Sequence, residues 1–168
     1  MRYISTRGQA PELTFEEAML TGLARDGGLY VPAEVPVLSE AEIAGLAGAS
    51  YEETAFAVMR PFIGDTFDDA TFRDLIAAAY GGFGHPARCP LVQTGPSDWI
   101  LELHHGPTLA FKDVALQLIG RMFEHVLARR GDRIDSALRR AIIEPGDILL
   151  LMTPSERADE VVGWLGGL

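Results

Sequence analysis

The sequence contains very little of two residue types that most globular chains use freely: one cysteine and one lysine among 168 residues. The single cysteine, Cys89, cannot form an intrachain disulfide, so a fold that depends on disulfides is excluded. Such cysteine usage is typical of a reducing compartment, and we expect a cytoplasmic protein. Cys89 opens an apolar run, which favours a small buried side chain over a reactive thiol.

Basic charge is also scarce. Fourteen lysine and arginine residues stand against 24 aspartate and glutamate residues, which gives a formal net charge of −10. Nucleic-acid binding and attachment to an anionic membrane both need a concentrated basic surface, so we expect neither partner. No apolar stretch approaches the roughly 18 residues of a transmembrane helix, and the first residues lack the apolar core of a secretory signal.

Residue types that favour helix starts recur through the first 80 residues. Thr14, Ser39 and Ser50 are each followed three residues later by a glutamate, which is the spacing of a capping box. An aspartate at 68 or 69 opens a fourth amphipathic segment. Because four amphipathic helices must bury their apolar faces together, a helical layer is predicted over 1–80.

The pattern changes after a glycine-rich segment at 81–86, which is the best linker candidate. Strands are predicted over 90–93 and 99–103, flanking a turn, and a long helix is predicted over 109–130 with Gly131 as its C-cap. The remaining residues, 134–168, are predicted to form a helix, a strand and a second helix. The sequence therefore indicates an α/β protein that begins with a helix-rich part.

The only lysine, Lys112, stands near the predicted start of the long helix. Unlike arginine, lysine can lose its proton at accessible pH and attack a carbonyl carbon. The free amides of a helix N-terminus can also hold an anionic group. Because Gly106 and Pro107 end the preceding strand, we expect Thr108 as the N-cap and Lys112 in the first helical turn. These features also fit an ordinary surface lysine, and physical reasoning alone leaves both interpretations open.

Glu102, His104 and His105 are the other candidate ligands. Residues 102 and 104 share one face of the predicted strand. Spacing alone does not establish three convergent ligands, so no metal site is predicted.

Two separated stretches resemble one enzyme family. The segment His105-Gly106-Pro107-Thr108-x-x-Phe111-Lys112-Asp113 resembles the pyridoxal-phosphate lysine motif of threonine synthases. The N-terminal part of this chain also resembles the N-terminal part of threonine synthases. The resemblance is carried by Tyr3-x-Ser5-Thr6-Arg7-Gly8, Phe15-x-x-Ala18-x-x-x-Gly22-Leu23-Ala24-x-Asp26-Gly27-Gly28-Leu29-Tyr30-Val31-Pro32 and Phe56-x-x-x-x-Arg60-Pro61-Phe62. The resemblance runs from residue 1 to about 133.

The resemblance implies a pyridoxal-phosphate-dependent lyase of threonine biosynthesis, which converts O-phospho-L-homoserine and water to L-threonine and phosphate. Lys112 would be the catalytic residue: it would hold the cofactor through its amine and then shuttle protons. Phe111 and Asp113 would flank it in the cofactor site. The implied organisation is an N-terminal domain over 1–84, the start of a fold-type-II cofactor domain over 85–133, and a tail of different origin over 134–168.

The tail departs from that family's pattern. Threonine synthases continue into a strand and a glycine-, serine- and threonine-rich loop that holds the cofactor phosphate, whereas residues 134–168 contain no such loop. We therefore expect a truncated form with an incomplete cofactor domain, whose site a second chain or an oligomer would have to complete. The alternative is a non-catalytic fragment that acts as a packing or interaction module.

Overall fold

This computed structural model describes residues 1–130, which contain five helices and four short strands. In chain order they are β1 (Tyr3–Ser5), α1 (Phe15–Thr21), β2 (Tyr30–Pro32), α2 (Glu40–Gly45), α3 (Tyr51–Ile63), α4 (Asp69–Tyr80), β3 (Leu91–Gln93), β4 (Trp99–Leu101) and α5 (Asp113–Arg130). This mixture confirms the α/β class. The predicted C-cap at Gly131 and the predicted elements of 134–168 lie outside the described residues.

Side-chain caps begin the first four helices. The hydroxyls of Thr14, Ser39 and Ser50 each accept the amide of the glutamate three residues later, and that glutamate accepts the amide of its cap. Asp68 accepts the amide of Thr71 at 2.7 Å and starts α4. The predicted capping boxes are therefore confirmed, because such caps depend only on neighbouring residues.

Two small antiparallel sheets frame the helices. In the first, β1 pairs with β2, and Tyr3 lies opposite Pro32. In the second, β3 and β4 form a hairpin in which Leu91 lies opposite Leu101. The hairpin confirms the two predicted strands, although each is shorter than expected.

The core lies where α3, α4 and α5 meet. Phe72 and Ile76 of α4 and Val126 of α5 are fully buried. The partly buried side chains of Phe15 and Met19 in α1 pack against this cluster. The predicted helical layer is confirmed for α1, α3 and α4, but not for α2, which has no buried residue. α5 joins the layer through Leu118, Met122 and Val126.

Hydrogen bonds connect the first helices to the region that carries the lysine. The phenolic hydroxyl of Tyr80, at the end of α4, donates to the carbonyl of Val114 at 2.9 Å. The amide of Gly84, in the predicted linker, donates to the carbonyl of His105 at 2.8 Å. Glu16 of α1 forms ion pairs with Arg129 and Arg130. The start and the end of α5 are thus both held against the helical layer.

Among the helices described for residues 1–130, none combines the length and the hydrophobicity that a membrane crossing requires.

Substitution of Phe72 by alanine tests whether one core holds the helices together. Phe72 is fully buried and packs against the rings of Phe56 and Phe67. We expect Phe72→Ala to lower the free energy of unfolding by about 3–5 kcal/mol, because it removes buried apolar surface and leaves a cavity. Urea denaturation followed by circular dichroism measures the change. Val37→Ala, at a side chain that is 89% exposed, should alter stability by no more than about 0.5 kcal/mol. Equal effects of the two substitutions would contradict the assigned core.

Candidate functional site

Lys112 lies at the N-terminus of α5. Its carbonyl accepts the amides of Ala115 at 3.1 Å and Leu116 at 2.8 Å, which makes Lys112 the cap residue of a helix whose first residue is Asp113. The predicted placement of Lys112 at the start of the long helix is therefore confirmed. The predicted start at 109 is wrong, since residues 106–112 form consecutive turns. The Lys112 side chain is exposed to solvent.

The carboxylate of Asp113 closes these turns. It accepts the amide of Thr108 at 2.8 Å, the Thr108 hydroxyl at 2.9 Å and the side-chain amide of Gln117 at 3.3 Å. Asp113 is buried, with 3% of its surface exposed. The prediction of Thr108 as a helix N-cap is wrong, because α5 begins only at Asp113 and the Thr108 hydroxyl donates to the Asp113 carboxylate.

The backbone of the lysine turn has two special positions. A Cβ atom on Gly106 would lie 2.4 Å from the Cβ and Oδ2 atoms of Asp113, so a side chain at 106 would displace the carboxylate. Leu109 has φ of 59°, in the left-handed region that non-glycine residues rarely adopt, and its side chain is exposed. The turn therefore combines a close approach with local backbone strain, next to the only lysine of the chain.

The charge of Asp113 favours this arrangement. Burial acts to raise the pKa of the Asp113 carboxyl, but the hydrogen bonds from Thr108 and Gln117 outweigh burial and hold that pKa below its usual value of 3.8. The carboxylate is thus ionised at neutral pH, and the bonds that it accepts are charge-assisted.

The amides at the start of α5 already have partners. Asp113 donates to the carbonyl of Ala110 at 3.0 Å, Val114 to Phe111 at 3.3 Å and Ala115 to Lys112 at 3.1 Å. These three amides are therefore not free to hold an anion beside the lysine. Phe111, the other predicted site residue, is 65% exposed beside Lys112.

The structure also brings together the residues considered as metal ligands. Glu102, His104 and His105 each offer one ligand atom, and these atoms lie within 4.8 Å of one another. Oε2 of Glu102 and Nε2 of His105 share a hydrogen bond of 2.7 Å. That bond lowers the pKa of Glu102 against the opposing effect of burial, and the nearby imidazoles of His104 and His85 add to the lowering.

Sequence reasoning missed Arg88, which ties the linker to α3. Its guanidinium pairs with the carboxylate of Glu52 at 2.7 Å, and its backbone φ is 57°. The hydrogen bond from Arg88 lowers the pKa of Glu52 although burial opposes it. The ion pair between Arg88 and Glu52 has no local sequence signal, because the two residues are 36 positions apart.

A shallow groove of about 550 Å³ lies between α2 and α3, lined by residues such as Leu38, Leu46, Phe56 and Arg60. Its lining includes none of the predicted site residues. The Lys112 turn lies elsewhere, on the exposed side of the α5 start.

Comparison with known proteins matches the N-terminal part of the chain, slightly less than half of it, to a family. The family described as "Threonine synthase N terminus" matches residues 2–80. A threonine synthase of Pseudomonas aeruginosa is 57% identical over 134 residues, which are 80% of this chain and 29% of that protein. This chain therefore spans less than a third of the length of the curated relatives that it matches.

Solved structures of threonine synthases also match most of this chain. The crystal structure of a threonine synthase from Brucella melitensis, determined with bound pyridoxal phosphate, matches with a TM-score of 0.76 and 56% identity. It is covered to 28%, and the match includes 78% of this chain. The yeast threonine synthase matches with a TM-score of 0.71 and 42% identity, over 79% of this chain and 28% of that one.

Substitution of Asp113 tests whether its carboxylate fixes the lysine turn. We expect Asp113→Ala to raise the hydrogen-exchange rate of the Thr108 amide by about tenfold, because that amide loses a charge-assisted partner. Exchange measured by nuclear magnetic resonance at neutral pH resolves this single amide. Gln117→Ala is the matched control, since it removes only the longest bond to the same carboxylate. An unchanged rate in Asp113→Ala would show that the turn keeps its shape without the carboxylate.

Proposed function

We propose that this chain provides the lysine-bearing part of a threonine synthase active site, because residues 2–80 match the threonine synthase N terminus and the similarity to a threonine synthase covers 80% of the chain. The observation that carries the proposal is the position of Lys112: the only lysine of the sequence caps α5 on a turn that a buried carboxylate closes. The reaction served is conversion of O-phospho-L-homoserine and water to L-threonine and phosphate.

The residues of the turn fit pyridoxal phosphate at its aldehyde end. Lys112 presents an exposed amine on a fixed backbone, and that amine would hold the cofactor covalently. Phe111 offers an exposed apolar ring next to it. Asp113 contributes by holding the turn, since its carboxylate is directed at Thr108 and Gln117. The cofactor supplies an electron sink when it is bound.

Lys112 would serve the reaction in two ways. Its amine would hold and orient the cofactor. The same amine, when not attached, would take up and return protons at the substrate carbons. Both roles need a lysine, because a guanidinium does not give up its proton.

The domain boundaries of the sequence analysis fit this role. We propose an N-terminal domain over 1–84, the start of a fold-type-II cofactor domain over 85–133 and a separate tail over 134–168, in a cytoplasmic protein. The lysine turn, the β3–β4 hairpin and α5 would then be the first elements of the cofactor domain. α5 packs against α4 in the core, which places that start directly on the N-terminal helices.

The hydrogen-bond donors that bind the cofactor phosphate would come from another polypeptide segment. The first amides of α5 are already bonded, and the relatives continue for more than twice the length that this chain matches. A polypeptide of different sequence that supplies a phosphate-binding loop would complete the site.

One observation favours the alternative, a non-catalytic interaction module. The β3–β4 hairpin exposes large apolar side chains on both of its faces: Leu91, Val92, Trp99, Ile100 and Leu101 are 40–58% exposed. Such a surface is typical of a site that another protein surface covers. A module of this kind would not need a reactive Lys112.

Addition of pyridoxal phosphate distinguishes the two candidates. We expect the purified chain to develop a visible absorption band that is much weaker in Lys112→Ala and in Lys112→Arg, because neither replacement side chain can attach the cofactor and only the α-amino group remains. Absence of a Lys112-dependent band would favour the interaction module.

Phosphate release from O-phospho-L-homoserine tests whether the chain is sufficient for turnover. We expect no release above the level of Lys112→Ala, because positioning of cofactor and substrate accounts for roughly 7–11 kcal/mol of barrier lowering and most positioning groups are not among the described residues. Lys112-dependent release by the purified chain would instead show that it assembles a complete site.

A further inference from the structure

Three of the four histidines of the chain, His85, His104 and His105, gather where β4 ends. The ring centroids of His104 and His105 are 4.4 Å apart, and those of His85 and His105 are 5.1 Å apart. The carboxylate of Glu102 lies within hydrogen-bond distance of His105. The proposed threonine synthase role assigns no chemistry to these side chains, although His105 is the first residue of the lysine motif.

The backbone of this corner is held from two sides. The amide of Glu102 donates to the carbonyl of Pro90 at 2.9 Å, across the hairpin. The carbonyl of His105 accepts the amide of Gly84 at 2.8 Å. The backbones of Glu102 and His105 are therefore held by separate segments of chain, whereas the side chain of His104 is exposed.

We propose that Glu102, His104 and His105 form a binding site for a divalent metal ion of the zinc type. Two imidazoles and one carboxylate are a donor set that suits zinc and leaves a fourth position for water. Imidazole nitrogen also suits copper and nickel, whereas magnesium and calcium prefer oxygen ligands throughout.

The distances permit this coordination after a small rearrangement. Bonds of 2.0–2.1 Å around a tetrahedral ion place ligand atoms about 3.4 Å apart. The ligand atoms here lie within 4.8 Å of one another, so rotation of the exposed His104 side chain closes the remaining gap. The proton on Nε2 of His105, which Glu102 now shares, moves through solvent to Nδ1. Nε2 and Oε2 then each offer a lone pair to the ion.

His85 lies beside the three ligands but is not one of them. Its Nδ1 accepts the backbone amide of Ala87 at 3.1 Å, so the proton of the neutral ring is on Nε2. Neither nitrogen of His85 then has a free lone pair for a metal. This difference makes His85 a nearby control for the proposed site.

Zinc titration of the full chain, freed of metal, tests the proposal. The competing soft ligands are few, because the only cysteine and the other histidine, His125, both lie outside the cluster. We expect isothermal titration calorimetry at neutral pH to show one zinc ion per chain, with affinity that falls as the pH is lowered because protons compete for the imidazoles. A hundredfold excess of magnesium should not displace the zinc.

Variants locate the bound ion. His104→Ala and Glu102→Gln should each weaken zinc binding by at least tenfold, whereas His125→Gln and His85→Asn should change it by less than twofold. We do not expect His104→Ala to weaken zinc binding by unfolding the chain, because His104 is exposed. Unchanged affinity in His104→Ala, or an equal loss in His125→Gln, would overturn the proposed site. The absence of any stoichiometric zinc binding would do the same.

Discussion

The contact between α5 and the N-terminal helices determines where the only lysine of the chain lies. Leu118, Met122 and Val126 are buried in the same core as Phe72 and Ile76 of α4. The Tyr80 hydroxyl adds a hydrogen bond to the first turn of α5. A helix held in this way cannot rotate or slide without exposing its apolar face, so the residue that caps it has a defined position. The N-terminal helices therefore act as the support of the Lys112 turn.

The turn itself depends on the Asp113 carboxylate, which is bonded within the turn and to α5. Asp113 follows Lys112 directly, yet its oxygens face Thr108 and Gln117, while the lysine side chain remains in solvent. Gly106 leaves the space that this carboxylate occupies. Lys112 thus presents an exposed side chain, and Gly106, Thr108 and Asp113 hold the backbone that carries it. The charge of Asp113 stays inside the turn, satisfied by its neighbours.

Local features of this fold could be predicted from the sequence, and features that depend on distant residues could not. The capping boxes after Thr14, Ser39 and Ser50 involve residues three positions apart, so their spacing is sufficient to predict them. The placement of Lys112 at a helix start was also accessible, because Gly106 and Pro107 interrupt the strand. The role of Thr108 was predicted wrongly, because α5 starts at Asp113 instead of 109 and the Thr108 hydroxyl donates to the buried carboxylate of that residue. The Glu52–Arg88 pair and the convergence of Glu102, His104 and His105 depend on how the linker and hairpin fold back, which spacing does not reveal.

The most direct test of this account is to find where pyridoxal phosphate attaches. The chain is treated with the cofactor, reduced with borohydride to make the attachment permanent, digested and analysed by mass spectrometry. Only two primary amines exist in the sequence, that of Lys112 and the α-amino group of Met1, so the result is unambiguous. We predict that the label lies on Lys112 and that its yield falls in Asp113→Ala, where the turn is no longer closed. A label on Met1 alone, or no label on either amine, would contradict the claim that this fold presents a cofactor-binding lysine.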